Sequence, residues 1–189
     1  MRTLIALLLI ILLLGCTTSE KTGESPQSTT SPPPATVPAQ EQEKTYRSDK
    51  LGFEVSYPAS WRVVEDKVGE AELVFFLAPR GSYGTANINV AREESNLSLA
   101  EYAEEMKSNI ASLLKNYTLL DEGELRLKGY EAHELVYTYV QGPYTIKNHA
   151  VFVKAGNSIY LITLASLPEE FEKNEKVFER FLESFRANP

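Results

Sequence analysis

TLLDEGELRL-KG-YEAHELVYTYV-QGP-YTIKNHAVFVK-AGN-SIYLITLAS, residues 118–166, decides the fold. Apolar and β-branched residues fill four runs, Thr118 to Leu127, Tyr130 to Val140, Tyr144 to Lys154 and Ser158 to Ser166. Lys128-Gly129, Gln141-Gly142-Pro143 and Ala155-Gly156-Asn157 separate them with turn chemistry. Such short connections leave no room for a crossover, so consecutive strands are expected to pair antiparallel as a meander.

Upstream, Phe53, Val55 and Tyr57 alternate with Glu54 and Ser56, the period of a half-buried strand, and Pro58 ends it. Further strands are expected at Trp61 to Val64, Ala71 to Ala78 and Thr85 to Ala91. The period then changes. Ser98-Leu99-Ala100-Glu101 fits a capping box, and Leu99, Tyr102, Met106, Ile110, Leu113 and Leu114 recur at helical spacing through Lys115. Downstream of the meander, Ser166, Pro168 and Glu169 open a second helix with the stripe Phe171, Val177, Phe178, Phe181, Leu182 and Phe185. The fold class that results is α+β.

Several stretches carry a likeness. Gly52-Phe53 through Tyr57-Pro58-Ala59-Ser60-Trp61, the strand Ala86-Asn87-Ile88-Asn89-Val90, Ser98 to Tyr102, Gly129-Tyr130-Glu131-Ala132 with Tyr137-Thr138-Tyr139, and the Phe171, Phe178 and Phe185 helix together resemble the PsbP-like family. That family is named for an extrinsic subunit of photosystem II. The resemblance covers most of residues 50–188. It implies an antiparallel sheet of about six to seven strands sandwiched between helices, the α/β/α fold shared with the Ran-binding protein Mog. It implies no reaction, because members serve as photosystem accessory proteins, assembly factors or lipoproteins, and fold does not carry function with it.

The N-terminus points to export. Leu4 to Leu14 is an unbroken aliphatic run behind Arg2. At that length it is a secretory h-region and not a membrane span, which needs about 20 apolar residues. It ends in Leu13-Leu14-Gly15-Cys16, which resembles a lipoprotein lipobox, so Cys16 is expected to be lipidated and residues 1–15 removed. The competing reading is an uncleaved apolar anchor; either places the domain outside the cytoplasm, on the cell membrane. Residues 16–45 are rich in Ser, Thr and Pro, include Pro32-Pro33-Pro34, and lack the apolar side chains of a core. They are expected to form a disordered stalk carrying a domain at 46–189.

Composition narrows the function. The formal net charge is −7, and removing Arg2 makes it more negative, which argues against nucleic acid and against charge-driven binding to anionic lipid. The one cysteine is Cys16, so the domain has no disulfide, thiolate cluster or Cys nucleophile. Nucleophile elbows, Walker loops, zinc-protease helices and dinucleotide loops are absent from the sequence. Glu104-Glu105 and Glu169-Glu170 read as solvated helix charges.

Catalytic residues and cofactors are therefore expected to be none. His133 and His149 flank the Gln141-Gly142-Pro143 turn, and one antiparallel register would set them opposite each other as a two-His ligand or metal site; two ordinary strand histidines are the plainer reading. Trp61, Tyr137 and Tyr139 are candidate surface-binding aromatics, although aromatics are first of all packing residues. Asp121-Glu122-Gly123-Glu124 lacks EF-hand spacing and reads as a solvated turn or bulge. Asn96 and Asn116 head glycosylation sequons at the two ends of the first helix. Two functions stay open: a non-catalytic binding or assembly module with a protein partner, or an extracytoplasmic enzyme or small-ligand carrier with a pocket between sheet and helix.

Overall fold

The computed structural model describes residues 42–80 and 86–188. Cys16, the lipobox and nearly all of the stalk lie outside them. In chain order the elements are β1 (Glu43–Ser48), β2 (Phe53–Pro58), β3 (Arg62–Val68), β4 (Ala71–Leu77), β5 (Asn87–Glu94), α1 (Leu99–Leu113), β6 (Thr118–Leu127), β7 (Tyr130–Gln141), β8 (Tyr144–Ala155), β9 (Ser158–Ser166), α2 (Pro168–Ser184) and β10 (Arg186–Ala187).

The meander forms as expected. Lys128 and Gly129 both take positive φ, 50° and 96°, the backbone a two-residue hairpin between right-twisted strands requires. β6 to β9 lie side by side, and β5, β4 and β3 extend them into a seven-stranded antiparallel sheet of order β3-β4-β5-β9-β8-β7-β6. The central strand β9 is buried along almost its whole length, because helices cover both faces of the sheet there. Edge strand β6 is exposed at most positions.

The core divides at the sheet. On one face α1 lays Tyr102, Ala103, Met106 and Ile110 over Leu135, Tyr137 and Phe152. On the other, α2 lays Phe171, Phe178, Phe181 and Leu182 over Val151, Val153 and Ile162. Each fully buried phenylalanine contributes about 2 kcal/mol by leaving water, so four of them in and just beyond α2 make that helix integral to the core. The capping box is present: Glu101 N–H donates to Ser98 Oγ at 3.3 Å and Ser98 N–H donates to Glu101 Oε2 at 2.9 Å. At α2 the N-cap is Leu167, without a side-chain bond. Ser166, expected to mark that start, instead accepts from Asn174 Nδ2 at 3.1 Å.

A second sheet, of order β1-β2-β10, sits on the α2 face. β1 begins at Glu43, ahead of the expected domain start at 46, because its backbone pairs with β2 from Glu43↔Pro58 to Ser48↔Phe53 without needing apolar side chains. β10 pairs with β2 only through Arg186↔Glu54 and Ala187↔Phe53.

Candidate functional site

The two histidines do not meet. In the β7–β8 register His133 faces Phe152 and His149 faces Val136, three residues apart along the ladder, so their side chains leave opposite faces of the sheet. A shared metal ion is ruled out by that geometry. Among the described residues no group of three or more His, Cys, Asp or Glu is placed to hold one.

His149 belongs to the α2 core. Its Nε2 lies 2.8 Å from Glu134 Oε2 on β7, and its ring meets Phe178 edge-on at 5.0 Å. Nδ1 is 3.2 Å from Glu175 Oε1 on α2, near enough for attraction but without the alignment of a hydrogen bond. The imidazole thus links sheet and helix from a nearly enclosed position. His133 faces the other way, into a groove of about 500 Å³ beside the start of α1, with Ser98, Leu99, Glu124, Arg126 and Glu131 around it. The groove lies between sheet and helix and mixes both charge signs.

Trp61, Tyr137 and Tyr139 are not surface residues. Their exposures are 7%, 0% and 3%, because each fills a core position where its ring excludes water. Tyr137 Oη accepts from Asn148 Nδ2 at 3.0 Å, which satisfies one polar atom of a buried pair. Burial pushes the Tyr139 phenol up to about 12 and raises that of Tyr137 further still. Asn96 and Asn116 are both exposed, and Asn116 sits at φ 54°, a conformation asparagine tolerates better than most residues.

The large apolar side chains exposed among the described residues are Leu113, Leu119, Leu120 and, at the start of β8, Tyr144. Leu113, at the end of α1, is 44% exposed, although its spacing placed it in the buried stripe. Leu119 is 37% and Leu120 53% exposed at the start of β6. Two adjacent leucines cannot both face inward on a strand, and the chain resolves this with a bulge between Leu119 and Asp121 that leaves Leu120 unpaired. That adjacency was the available sequence signal. Immediately after the bulge come Asp121, Glu122 and Glu124, so the acidic stretch is strand edge and not turn. Lys107 on α1 ties Glu122 down at 2.8 Å and Glu104 at 2.6 Å.

An antiparallel sheet between two helices, with a small accessory sheet, defines a class of α/β/α domain. The sequence profile described as PsbP-like protein matches residues 4–187, and the chain belongs to that family. No curated protein sequence matches it. Among solved structures, cyanobacterial PsbP (CyanoP) from Synechocystis sp. PCC 6803 is similar at TM-score 0.60 and 17% identity, over 79% of this chain and 95% of that one. PA94 from Pseudomonas aeruginosa, a protein of unknown function, follows at 0.59 and 18%, over 78% and 98%. LpqN of Mycobacterium tuberculosis, involved in cell envelope biogenesis, is similar at 0.54 and 15%, over 78% and 91%. At these identities the likeness is one of fold. No helix among the described residues is long and apolar enough to cross a membrane.

Proposed function

We propose that this chain is an extracytoplasmic lipoprotein, held to the cell membrane through a lipidated Cys16, whose domain is a non-catalytic binding or assembly module for a protein partner. The observation that carries the binding role is three exposed leucines within eight residues, Leu113 at the end of α1 and Leu119 and Leu120 at the start of edge strand β6. Exposed apolar side chains concentrated in one place mark contact surfaces, whereas scattered ones do not. The fold neighbour involved in envelope biogenesis fits a role outside the cytoplasm. Lipid at Cys16 would add about 0.8 kcal/mol per buried methylene, so several acyl chains would hold the domain at the membrane.

The groove beside His133 supports the second reading, a small-ligand carrier, since it is a recess between sheet and helix with polar groups around it. A photo-cross-linking residue at Leu120 in the native cell separates the two. A discrete protein adduct, absent when the same group replaces exposed Glu172 on α2, is the expected result. No adduct at Leu120 would overturn the binding role. For the anchor, Cys16→Ser is expected to abolish incorporation of a labelled fatty acid; continued labelling would overturn that assignment.

A further inference from the structure

We infer that β6 is the acceptor for an added strand, and that its partner is an extended segment reading acidic, basic, basic, apolar at every second residue. This rests on the binding-module reading above and names the partner's chemistry.

β6 is the last strand of the main sheet, paired to β7 on one side only. Beyond the bulge its register runs without interruption from Asp121 to Leu127. Glu122 N–H bonds to the Asp121 carboxylate at 3.0 Å and not to a neighbouring strand, so the main-chain groups of Glu122 point outward. By the alternation of an antiparallel ladder, those of Glu124 and Arg126 do too. These three residues also share one face of the sheet, that of α1, with Leu119 beyond them.

An incoming antiparallel strand would therefore meet, in its own N-to-C direction, Arg126, then Glu124, then Glu122, then Leu119. Cross-strand neighbours of opposite charge favour pairing and like charges oppose it. The matching segment carries an acidic residue, two basic residues and an apolar one at alternate positions. A second copy of this chain is the competing occupant: pairing about Leu125 would set Glu124 against Arg126 on both sides, so protection of residues 119–127 that rises with protein concentration and without peptide would overturn the proposal. Pairing about Gly123 would instead set Glu122 against Glu124 on both sides of the centre. At the other edge, β3, the Tyr46 hydroxyl on β1 donates to Glu65 at 2.7 Å, linking that edge to the small sheet, and the Asp66 carboxylate accepts from Lys67 N–H at 2.7 Å. At β6 the guard is one carboxylate, Asp121, which an arriving main-chain acceptor could displace. Backbone pairing would then supply affinity while alternate side chains supply specificity.

The test is hydrogen exchange by mass spectrometry on the full-length chain in detergent, with two capped peptides. The first is Thr-Glu-Thr-Lys-Thr-Lys-Thr-Leu-Thr; the second exchanges every Glu and Lys. The first is expected to slow exchange in residues 119–127, and the second, with three cross-strand charge pairs reversed, to need at least about fivefold more peptide for the same effect. Glu124→Lys, which leaves the Lys107 contacts intact, is expected to shrink that preference without inverting it, because one of the three charge pairs then changes sign. Equal protection by both peptides, protection confined to other segments, or none at all overturns the proposal. A Leu120 adduct in cells alongside such a peptide result would sink strand addition alone, whereas loss of the adduct sinks the binding role itself.

Discussion

Gly52 joins three parts of the chain that are distant in sequence. Its carbonyl accepts from the Tyr160 hydroxyl at 2.6 Å and from Asn188 N–H at 2.7 Å, while its own N–H donates to Ser48 O at 2.9 Å. Its φ is +66°, and a Cβ there would stand 2.6 Å from Asn188 O. Gly52→Ala is thus doubly penalised, by backbone conformation and by contact with a main-chain atom that cannot swing away. We expect a loss of about 1–3 kcal/mol of unfolding free energy, read by urea denaturation. Unchanged stability would mean that the C-terminal strand is free to shift.

The buried phenols set a pH dependence at the same scale. Burial raises Tyr139 to about 12 and lifts Tyr137 above its ordinary range, whereas in the unfolded chain both titrate near about 10. The folded state therefore holds its protons more tightly. Their contribution is complete below about pH 10 and is lost as pH climbs from there toward the folded values. Melting temperature is expected to fall steeply above that point, and Tyr139→Phe to flatten the fall by removing one titrating group. A variant as alkali-sensitive as the parent would exclude this phenol as a cause.

At the scale of elements, α2 is the better secured of the two helices. It buries Phe171, Phe178 and Phe181 in its own length and Phe185 at its end, and His149 meets Glu175 from the sheet. His149→Ala removes the group between the Glu134 and Glu175 carboxylates and opens a gap against Phe178. We expect destabilisation of about 1–3 kcal/mol by denaturant melts, with no rescue by divalent metal. A metal-dependent rise in the parent's melting temperature would contradict the placement of the two histidines on opposite faces. α1 is held by its capping box and by Lys107, which bridges to β6, so its C-terminal end is where Leu113 emerges.

At the scale of the whole molecule, the domain's beginning matters more than its apolar content suggests. Glu43 to Ser48 pair with β2 all along, and Arg180 on α2 lies 3.5 Å from Glu43. A chain starting at Gln42 is expected to melt with the full-length chain. One starting at Asp49 loses β1 and leaves β2 with an open edge, and should melt several degrees lower, as small domains do for each kcal/mol lost. Equal melting temperatures would show that β1 adds nothing to the fold.

By itself the sequence determined nearly every element, because alternation, helical spacing and turn residues are local signals. The four-strand meander, the capped helix and the aromatic stripe of α2 could be read directly. The family could be read from the same residues. Tertiary structure alone decided what depends on register and coverage. Whether His133 meets His149 turns on which residue faces which across β7 and β8: a slip of one residue would bring them to the same face, and a slip of three would set them opposite each other. Whether Trp61, Tyr137 and Tyr139 are buried, or Leu113 exposed, turns on how far a helix reaches across the sheet. β1 and β10 form through backbone pairing with β2, which leaves no apolar pattern to read. Side-chain chemistry repeats along the chain and announces itself locally; the choice of partner strand and of covered face is made between segments far apart, and only the packed fold records it.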